Sequence, residues 1–128
     1  MDWRLSTYVF VGSALGGLAR YAVAGWATRG DFPTGTLLVN ATGCFLIGLV
    51  LFGGAAGGWL GPSARAFLAI GVLGGFTTMS SFTYETFAFL EDGAVRSALV
   101  YAGLTLASCF LGTWLGRVVA VRTWAGGA

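Results

Sequence analysis

The sequence predicts an all-α membrane protein with four spanning helices. The chain has 128 residues, of which 56% are hydrophobic and 9% charged, and its mean hydropathy is +0.80. A soluble domain of this length needs a polar coat that this composition cannot supply, so lipid must solvate most of the surface. The seven basic residues are scattered and the net charge is only +2, which argues against a nucleic-acid partner.

The predicted spans follow from the length of the apolar runs, since one helix needs roughly 20 apolar residues to cross a bilayer. No charge occurs between Phe32 and Ala64, and this run is broken by clustered glycines before Pro62. The spans are predicted at about 5–28, 35–52, 64–90 and 95–119, in one domain covering 1–128. The chain starts like a signal peptide, but its apolar pattern continues through Arg20, which favours a retained first helix.

The arginines give only a weak indication of orientation in the membrane. Four of them fall on one predicted face and three near the other, whereas a clear excess is what fixes topology. Two alternatives stay open: one arginine sets a single orientation, or the chain inserts both ways and an antiparallel dimer can form.

Glycines at GxxxG spacing predict close contacts between helices. Small residues let two backbones approach in lipid, where packing rather than hydrophobicity drives association. Three pairs have this spacing: Gly12 and Gly16, Gly71 and Gly75, and Gly112 and Gly116.

Polar side chains inside predicted spans are the candidate functional residues, because they need a partner or a cavity. The Asn40 amide either forms an interhelical hydrogen bond or contacts a ligand. In the fourth span a hydroxyl stripe follows helical spacing, although such hydroxyls often bond their own helix; it comprises Tyr101, Thr105, Ser108 and Thr113. The charges of Arg20 and Glu85 are predicted near helix ends, snorkelling or lining a vestibule.

The third span is predicted to break near its centre. Gly74 and Gly75 are followed by four hydroxyl residues that compete with the helical ladder, at Thr77, Thr78, Ser80 and Ser81. Carbonyls freed at such a break can bind a cation. Two copies meeting at a two-fold axis would supply twice as many carbonyls, which is a reason to expect a dimer.

The two cysteines, Cys44 and Cys109, carry no functional signal in sequence. They lie in apolar runs without CxxC spacing, and the chain has no histidine. We predict neither a zinc site nor a redox pair, and interpret both as apolar thiols.

Three segments together resemble the Fluc (CrcB) family of small fluoride channels. They are "GSALGGLARY" from Gly12, "GTLLVNATGCFLIG" from Gly35 and "GGFTTMSSF" from Gly74. They are similar to the family motifs GGxxGAxxRY, GTxxVNxxGxFxxG and GGxTTFSTF. Each motif alone is weak, but their order in a four-span chain of this length is specific.

The resemblance implies a fluoride-selective channel of the inner (plasma) membrane, acting as an antiparallel, dual-topology homodimer with two pores. It implies a structural sodium ion held by the backbone carbonyls of Gly74 and Thr77. The implied pore residues, the last three mapped approximately, are Asn40, Met79, Ser80, Phe82, Tyr101, Thr105 and Ser108. Fluoride accepts hydrogen bonds only, so neutral donors and aromatic ring edges suit such a pore, with Arg20 and Glu85 in a vestibule.

One residue departs from the family pattern. Met79 stands where the first phenylalanine of TTFSTF is usual. Methionine fills similar volume but offers no ring edge to an anion. The substitution bears on conduction rather than on the fold.

Two other functions are alternatives for a chain of this length and span number. A small proton-coupled multidrug exporter has the same length and span number, but it needs an embedded carboxylate, typically in its first helix, and here only Glu85 of the third span qualifies. An accessory subunit of a membrane complex would use the polar stripes for binding alone. An enzyme is not expected, since the chain lacks histidine, a GxSxG motif and a carboxylate pair at hydrolytic spacing.

Overall fold

The computed structural model describes residues 2–125, which form four long helices. These are α1 (Trp3–Ala27), α2 (Thr34–Gly57), α3 (Pro62–Glu91) and α4 (Val95–Trp124). Three of the helices in this range, α2, α3 and α4, are long and apolar enough to cross a membrane. The predicted all-α chain with four helices is confirmed, and a spanning role for α1 stays a prediction.

Two helices extend past their predicted ends, α2 to Gly57 instead of about 52 and α4 to Trp124 instead of about 119, and the start of α1 is capped by a side chain. The Asp2 side chain caps α1 by accepting a hydrogen bond from the Arg4 amide at 2.9 Å. The glycine cluster does not end α2 at Phe52 as predicted; the helix continues until Gly58, whose φ of 67° favours glycine. The reason is packing, since a Cβ on Gly53 would lie 2.8 Å from the Trp124 ring.

Glycines mark the closest helix contacts, which join α1 to the first half of α3 and α2 to α4. A Cβ on Gly12 would lie 2.5 Å from the Phe67 carbonyl oxygen, and one on Gly48 would lie 2.5 Å from that of Thr113. All three GxxxG pairs lie at these contacts, so the predicted close approach is confirmed.

Helix α3 is broken at Thr77 and Thr78, where the backbone becomes extended (φ −78° and −150°). The first half, 62–76, contains a π-helical stretch, Arg65–Leu73, and the second half is Met79–Glu91. The predicted break near the centre of this span is confirmed at Thr77, but Gly74 and Gly75 remain helical. Gly75 instead permits contact with α1, since a Cβ there would lie 2.6 Å from the Ser13 carbonyl oxygen.

Large apolar side chains cover the outside of the bundle. Phe10, Leu99 and Phe110 are 75%, 69% and 78% exposed. In water such a surface would drive aggregation, whereas in a bilayer it is solvated by lipid tails. The helices therefore present their apolar side chains to lipid and turn their small and polar residues towards one another.

Substituting Gly16 by alanine tests the contact between α1 and α3. The buried Gly16 faces the Val72 carbonyl and would place a Cβ 2.9 Å from the Phe76 amide nitrogen, whereas a Cβ on Gly17 meets nothing within 4 Å. We expect Gly16→Ala to destabilise the purified protein by about 1–3 kcal/mol through overpacking. Gly17→Ala should be neutral or stabilising by up to about 1 kcal/mol. Equal melting temperatures for the two variants would contradict the contact.

Candidate functional site

The centre of the site is a pair of hydrogen bonds between Asn40 of α2 and the backbone of Thr78 at the break. Asn40 Nδ2 donates to the Thr78 carbonyl at 2.9 Å, and the Thr78 amide donates to Asn40 Oδ1 at 2.8 Å. Both residues are buried. A buried peptide group left unpaired by a helix break is costly, and here one side-chain amide pairs both of its polar groups.

The break releases carbonyls from the first half of α3. In a continuous helix the Thr78 amide would donate to Gly74 and the Ser81 amide to Thr77. Instead they donate to Asn40 Oδ1 and to Thr78 Oγ1, the latter at 3.1 Å as an N-cap. The carbonyls of Gly74 and Thr77 therefore lose their helical donors.

Arg20 of α1 reaches the same break. Its Nη1 donates to the Thr77 carbonyl at 3.3 Å, which supplies the partner that sequence reasoning could not name. Arg20 lines a cavity of about 340 Å³ between α1, α2 and α3, which we call the Arg20 cavity. Thr36, Thr78 and Ser81 also line it, so a guanidinium and three hydroxyls converge on one opening.

A second cavity, of about 320 Å³, lies on the other side of Asn40, and we call it the Thr105 cavity. It is bounded by α2, both halves of α3 and α4. Of the candidate residues predicted from sequence, it brings together Asn40, Gly74, Thr77, Met79, Phe82 and Thr105. Thr78 lines both cavities. The Asn40 and Thr78 pair thus lies between the two cavities, with Thr78 in the wall of each.

The Thr105 hydroxyl is the one buried side-chain polar group without a hydrogen-bond partner in the described part of the chain. Thr105 is 3% exposed, and its Oγ1, although close to Tyr101, makes no hydrogen bond to another described residue. A buried hydroxyl without a partner is costly, and Thr105 is also a lining residue of the Thr105 cavity. It is the strongest indication of a binding position along the cavity.

Glu85 is held between α2 and α4. Its carboxylate accepts hydrogen bonds from Thr36 Oγ1 at 2.7 Å and from the Tyr101 hydroxyl at 2.6 Å. Sequence reasoning missed Thr36, although it lies one helical turn before Asn40 on the same face of α2. Tyr101, predicted as a lining hydroxyl, is fully buried and directs its proton at Glu85.

Aromatic rings pack beside this carboxylate. Phe82 is 9% exposed, and its ring centroid lies 5.3 Å from that of Tyr101. Phe32 meets Tyr101 edge-on at 5.5 Å. Met79, in contrast, is 67% exposed at the cavity mouth. The buried aromatic residue is therefore fixed in position, whereas the methionine is not covered by this chain.

Three predicted pore residues do not line the Thr105 cavity: Tyr101, which bonds Glu85, and Ser80 and Ser108. Ser80 is exposed, and its hydroxyl lies 3.2 Å from Thr78 Oγ1. Ser108 Oγ donates to the Thr105 carbonyl of its own helix at 3.0 Å. Cys109, four residues after Thr105, lines the cavity in its place, since a spacing of four keeps residues on one helix face. The roles predicted for Ser80 and Ser108 stay predictions.

Comparison with known proteins places the chain in one family. Residues 7–117 match the family described as CrcB-like protein, Camphor Resistance (CrcB). A protein of Methylocella silvestris named fluoride-specific ion channel FluC is 46% identical over 121 residues, which cover 89% of this chain and 91% of that protein.

Two further relatives carry the same name. The Thermus thermophilus protein is 51% identical over 117 residues, covering 84% of this chain and 90% of the relative. The protein of Anaeromyxobacter sp. (strain K) is 43% identical over 121 residues, covering 92% and 95%. With a family match over most of its length and relatives of this similarity, the chain belongs to the CrcB family of multi-pass membrane channels.

Proposed function

We propose that this chain conducts fluoride passively across the cell membrane, exporting it from the cytoplasm; its relatives are named fluoride-specific ion channels. The observation that carries the proposal is Thr105, a lining residue of the Thr105 cavity whose buried hydroxyl has no hydrogen-bond partner within residues 2–125. Fluoride accepts hydrogen bonds and donates none, so a position that offers an unused donor suits it.

The two cavities supply a graded series of donors. Arg20, beside the break, attracts anions into the Arg20 cavity, while the Thr105 cavity is lined by uncharged groups. An ion must bind strongly enough to lose its water but weakly enough to leave. Neutral amide and hydroxyl donors with the edge of Phe82 satisfy this requirement better than a second full positive charge would.

A proton-coupled exporter fits the site less well. Such a transporter needs a carboxylate free to exchange protons in its cavity. Both oxygens of Glu85 already accept hydrogen bonds, from Thr36 and Tyr101, and Glu85 does not line the Thr105 cavity. An accessory subunit is disfavoured by the relatives, which are named as ion channels.

We infer that the working unit is a homodimer of oppositely oriented subunits, with α1 as the fourth span. The nearly even division of arginines between the two faces supports insertion in both orientations. The Thr105 cavity also opens past the exposed Met79, so a second subunit would complete its wall. Glycine contacts along α1 hold this helix against α3, which supports its place inside the bundle.

The freed carbonyls at the break fit a sodium ion. Gly74 and Thr77 have lost their helical donors, and a carbonyl that already bonds Arg20 keeps a second lone pair. One subunit offers two such carbonyls, and two subunits related by a two-fold axis would offer four. An ion at this position would fasten the two breaks together, a structural role.

Fluoride efflux from liposomes containing the purified protein tests the proposed function. We expect efflux of fluoride and none of chloride. Asn40→Asp should reduce fluoride efflux to the level of protein-free liposomes, because a carboxylate repels the anion and cannot donate to the Thr78 carbonyl. Equal leakage of both halides from wild-type protein, or no fluoride efflux, would refute a fluoride channel. Unchanged efflux in Asn40→Asp would remove Asn40 from the ion path.

Replacing Thr105 by the isosteric valine tests the unpartnered hydroxyl. We expect fluoride efflux to fall about tenfold or more, the equivalent of about 1.4 kcal/mol for one hydrogen bond to a charged group. The melting temperature should stay constant or rise, since no partner within the described chain is lost. Ser108→Ala is the comparison, because that hydroxyl bonds its own helix. A loss of flux in Ser108→Ala alone would favour the sequence-based mapping over the geometry.

Exchanging sodium for N-methylglucammonium at constant ionic strength tests the sodium site. We expect the detergent-solubilised protein to run as a dimer with a higher melting temperature in sodium, since a ligand at 100 times its Kd stabilises by about 2.7 kcal/mol. Thr77→Ala should keep this dependence because the ligand is a backbone carbonyl. A monomer with identical melting temperatures in both salts would contradict the dimer and the site together.

A further inference from the structure

The two cysteines, read from sequence as unrelated apolar thiols, are neighbours in space. Cys44 lies on α2 and Cys109 on α4, both are free thiols, and both are half-buried. They line the Thr105 cavity together, one from each of two packed helices. Neither is sealed inside the protein, so an ion in the cavity can reach both.

Close packing of α2 on α4 keeps the two thiols together. A Cβ on Gly112 would lie 2.9 Å from the Ala41 carbonyl oxygen, and Thr113 Oγ1 donates to the Cys44 carbonyl at 3.1 Å. Gly112 is three residues after Cys109, so both lie on the face of α4 that meets α2. The two helices cannot separate here without losing this contact, so Cys44 and Cys109 stay on facing helices.

The donor set is soft and small. The cavity contains a third sulfur, the Met79 thioether, while the chain has no histidine. Within residues 2–125 no group of three or more histidine, cysteine or acidic residues could hold a metal, so a four-coordinate zinc site is not available. Thiolate and thioether ligands suit Cu(I), zinc and iron–sulfur clusters; with only two thiols available, Cu(I) fits best, because two-coordinate binding by a pair of thiolates is ordinary Cu(I) chemistry.

We propose that Cys44 and Cys109 form a binding site for Cu(I) inside the Thr105 cavity. Two Cu–S bonds form, two thiol protons are released to solvent, and copper keeps its oxidation state. The product is a bis-thiolate complex with a net charge of −1. If the cavity is the fluoride path proposed above, the complex blocks it by occupying space and by repelling the anion, so this consequence rests on the proposed function.

Cu(I) titration of the purified, reduced, full-length protein in detergent tests the site, with bicinchoninate as competing chelator under anaerobic conditions. We expect one Cu(I) per chain. Cys44→Ala and Cys109→Ala should each weaken binding by about 100-fold or more, since even outer-shell changes at metal sites cost 10–100-fold. Gly103→Ala is the matched control and should bind Cu(I) as wild type does. Gly103 lies on α4, as Cys109 does, and a Cβ there would meet nothing within 4 Å.

Alkylation of the wild-type protein gives a readout that needs no variant to fold. N-ethylmaleimide should modify two cysteines in the copper-free protein and none after one equivalent of Cu(I), as counted by intact mass. Protection of both thiols supports the paired site. Protection of one thiol or neither, or wild-type Cu(I) affinity in either single variant, overturns it.

Fluoride efflux then separates the site from its consequence. We expect micromolar Cu(I) to inhibit efflux by wild-type protein and Gly103→Ala but not by Cys44→Ala. If the protein conducts no fluoride, the titration and alkylation results still decide the copper site. If it conducts fluoride and binds Cu(I) at both thiols without inhibition, the Thr105 cavity is not the path, and the blocking consequence is overturned.

Discussion

The structure depends on the pairing of the Asn40 amide with the Thr78 peptide group. A helix that opens in an apolar environment exposes N–H and C=O groups that have no water to bond, each at a penalty of about 1–3 kcal/mol or more. A primary amide presents one donor and one acceptor side by side, which matches a peptide group. One side chain of α2 therefore fixes where α3 opens, and no solvent has to enter to stabilise the opening.

The position of the break determines the remainder of the site. Because α3 is broken at Thr77 and Thr78, the Thr77 carbonyl accepts a hydrogen bond from Arg20. Glu85 and Phe82, on the second half of α3, contact Tyr101 of α4. Both cavities lie beside the break, since Thr78 lines each of them. Some polar side chains of the bundle form hydrogen bonds between helices, whereas the Thr105 hydroxyl has no hydrogen-bond partner within residues 2–125.

Close contacts between neighbouring helices hold the bundle together around the break. In lipid the association of helices relies on van der Waals contact and hydrogen bonds, so backbones must approach closely. Glycines permit this on α1 against α3 and on α2 against α4. The close packing of α2 on α4 also places Cys44 and Cys109 in the wall of one cavity. The same helix contact therefore holds the cavity wall and brings two thiols to it.

Several features followed from the sequence alone because they depend on local composition. Apolar run length determined the helical class and the number of helices, and competing hydroxyls near Thr77 indicated a break. Glycine spacing indicated the tight seams. The resemblance in three motifs indicated the family, and the comparisons agree.

Other features were decided only by the tertiary structure, since they join residues that are distant in sequence. Periodicity could not show that Thr36 bonds Glu85, that Arg20 reaches the Thr77 carbonyl, or that Cys44 and Cys109 line one cavity. It also indicated a break close to Gly74 and Gly75, but both glycines are helical, and Gly75 packs against Ser13 of α1. Sequence by itself determined which residues are polar within the helices; how the helices cross decided which of those residues have partners and which face a cavity, because a side-chain partner is set by three-dimensional contact.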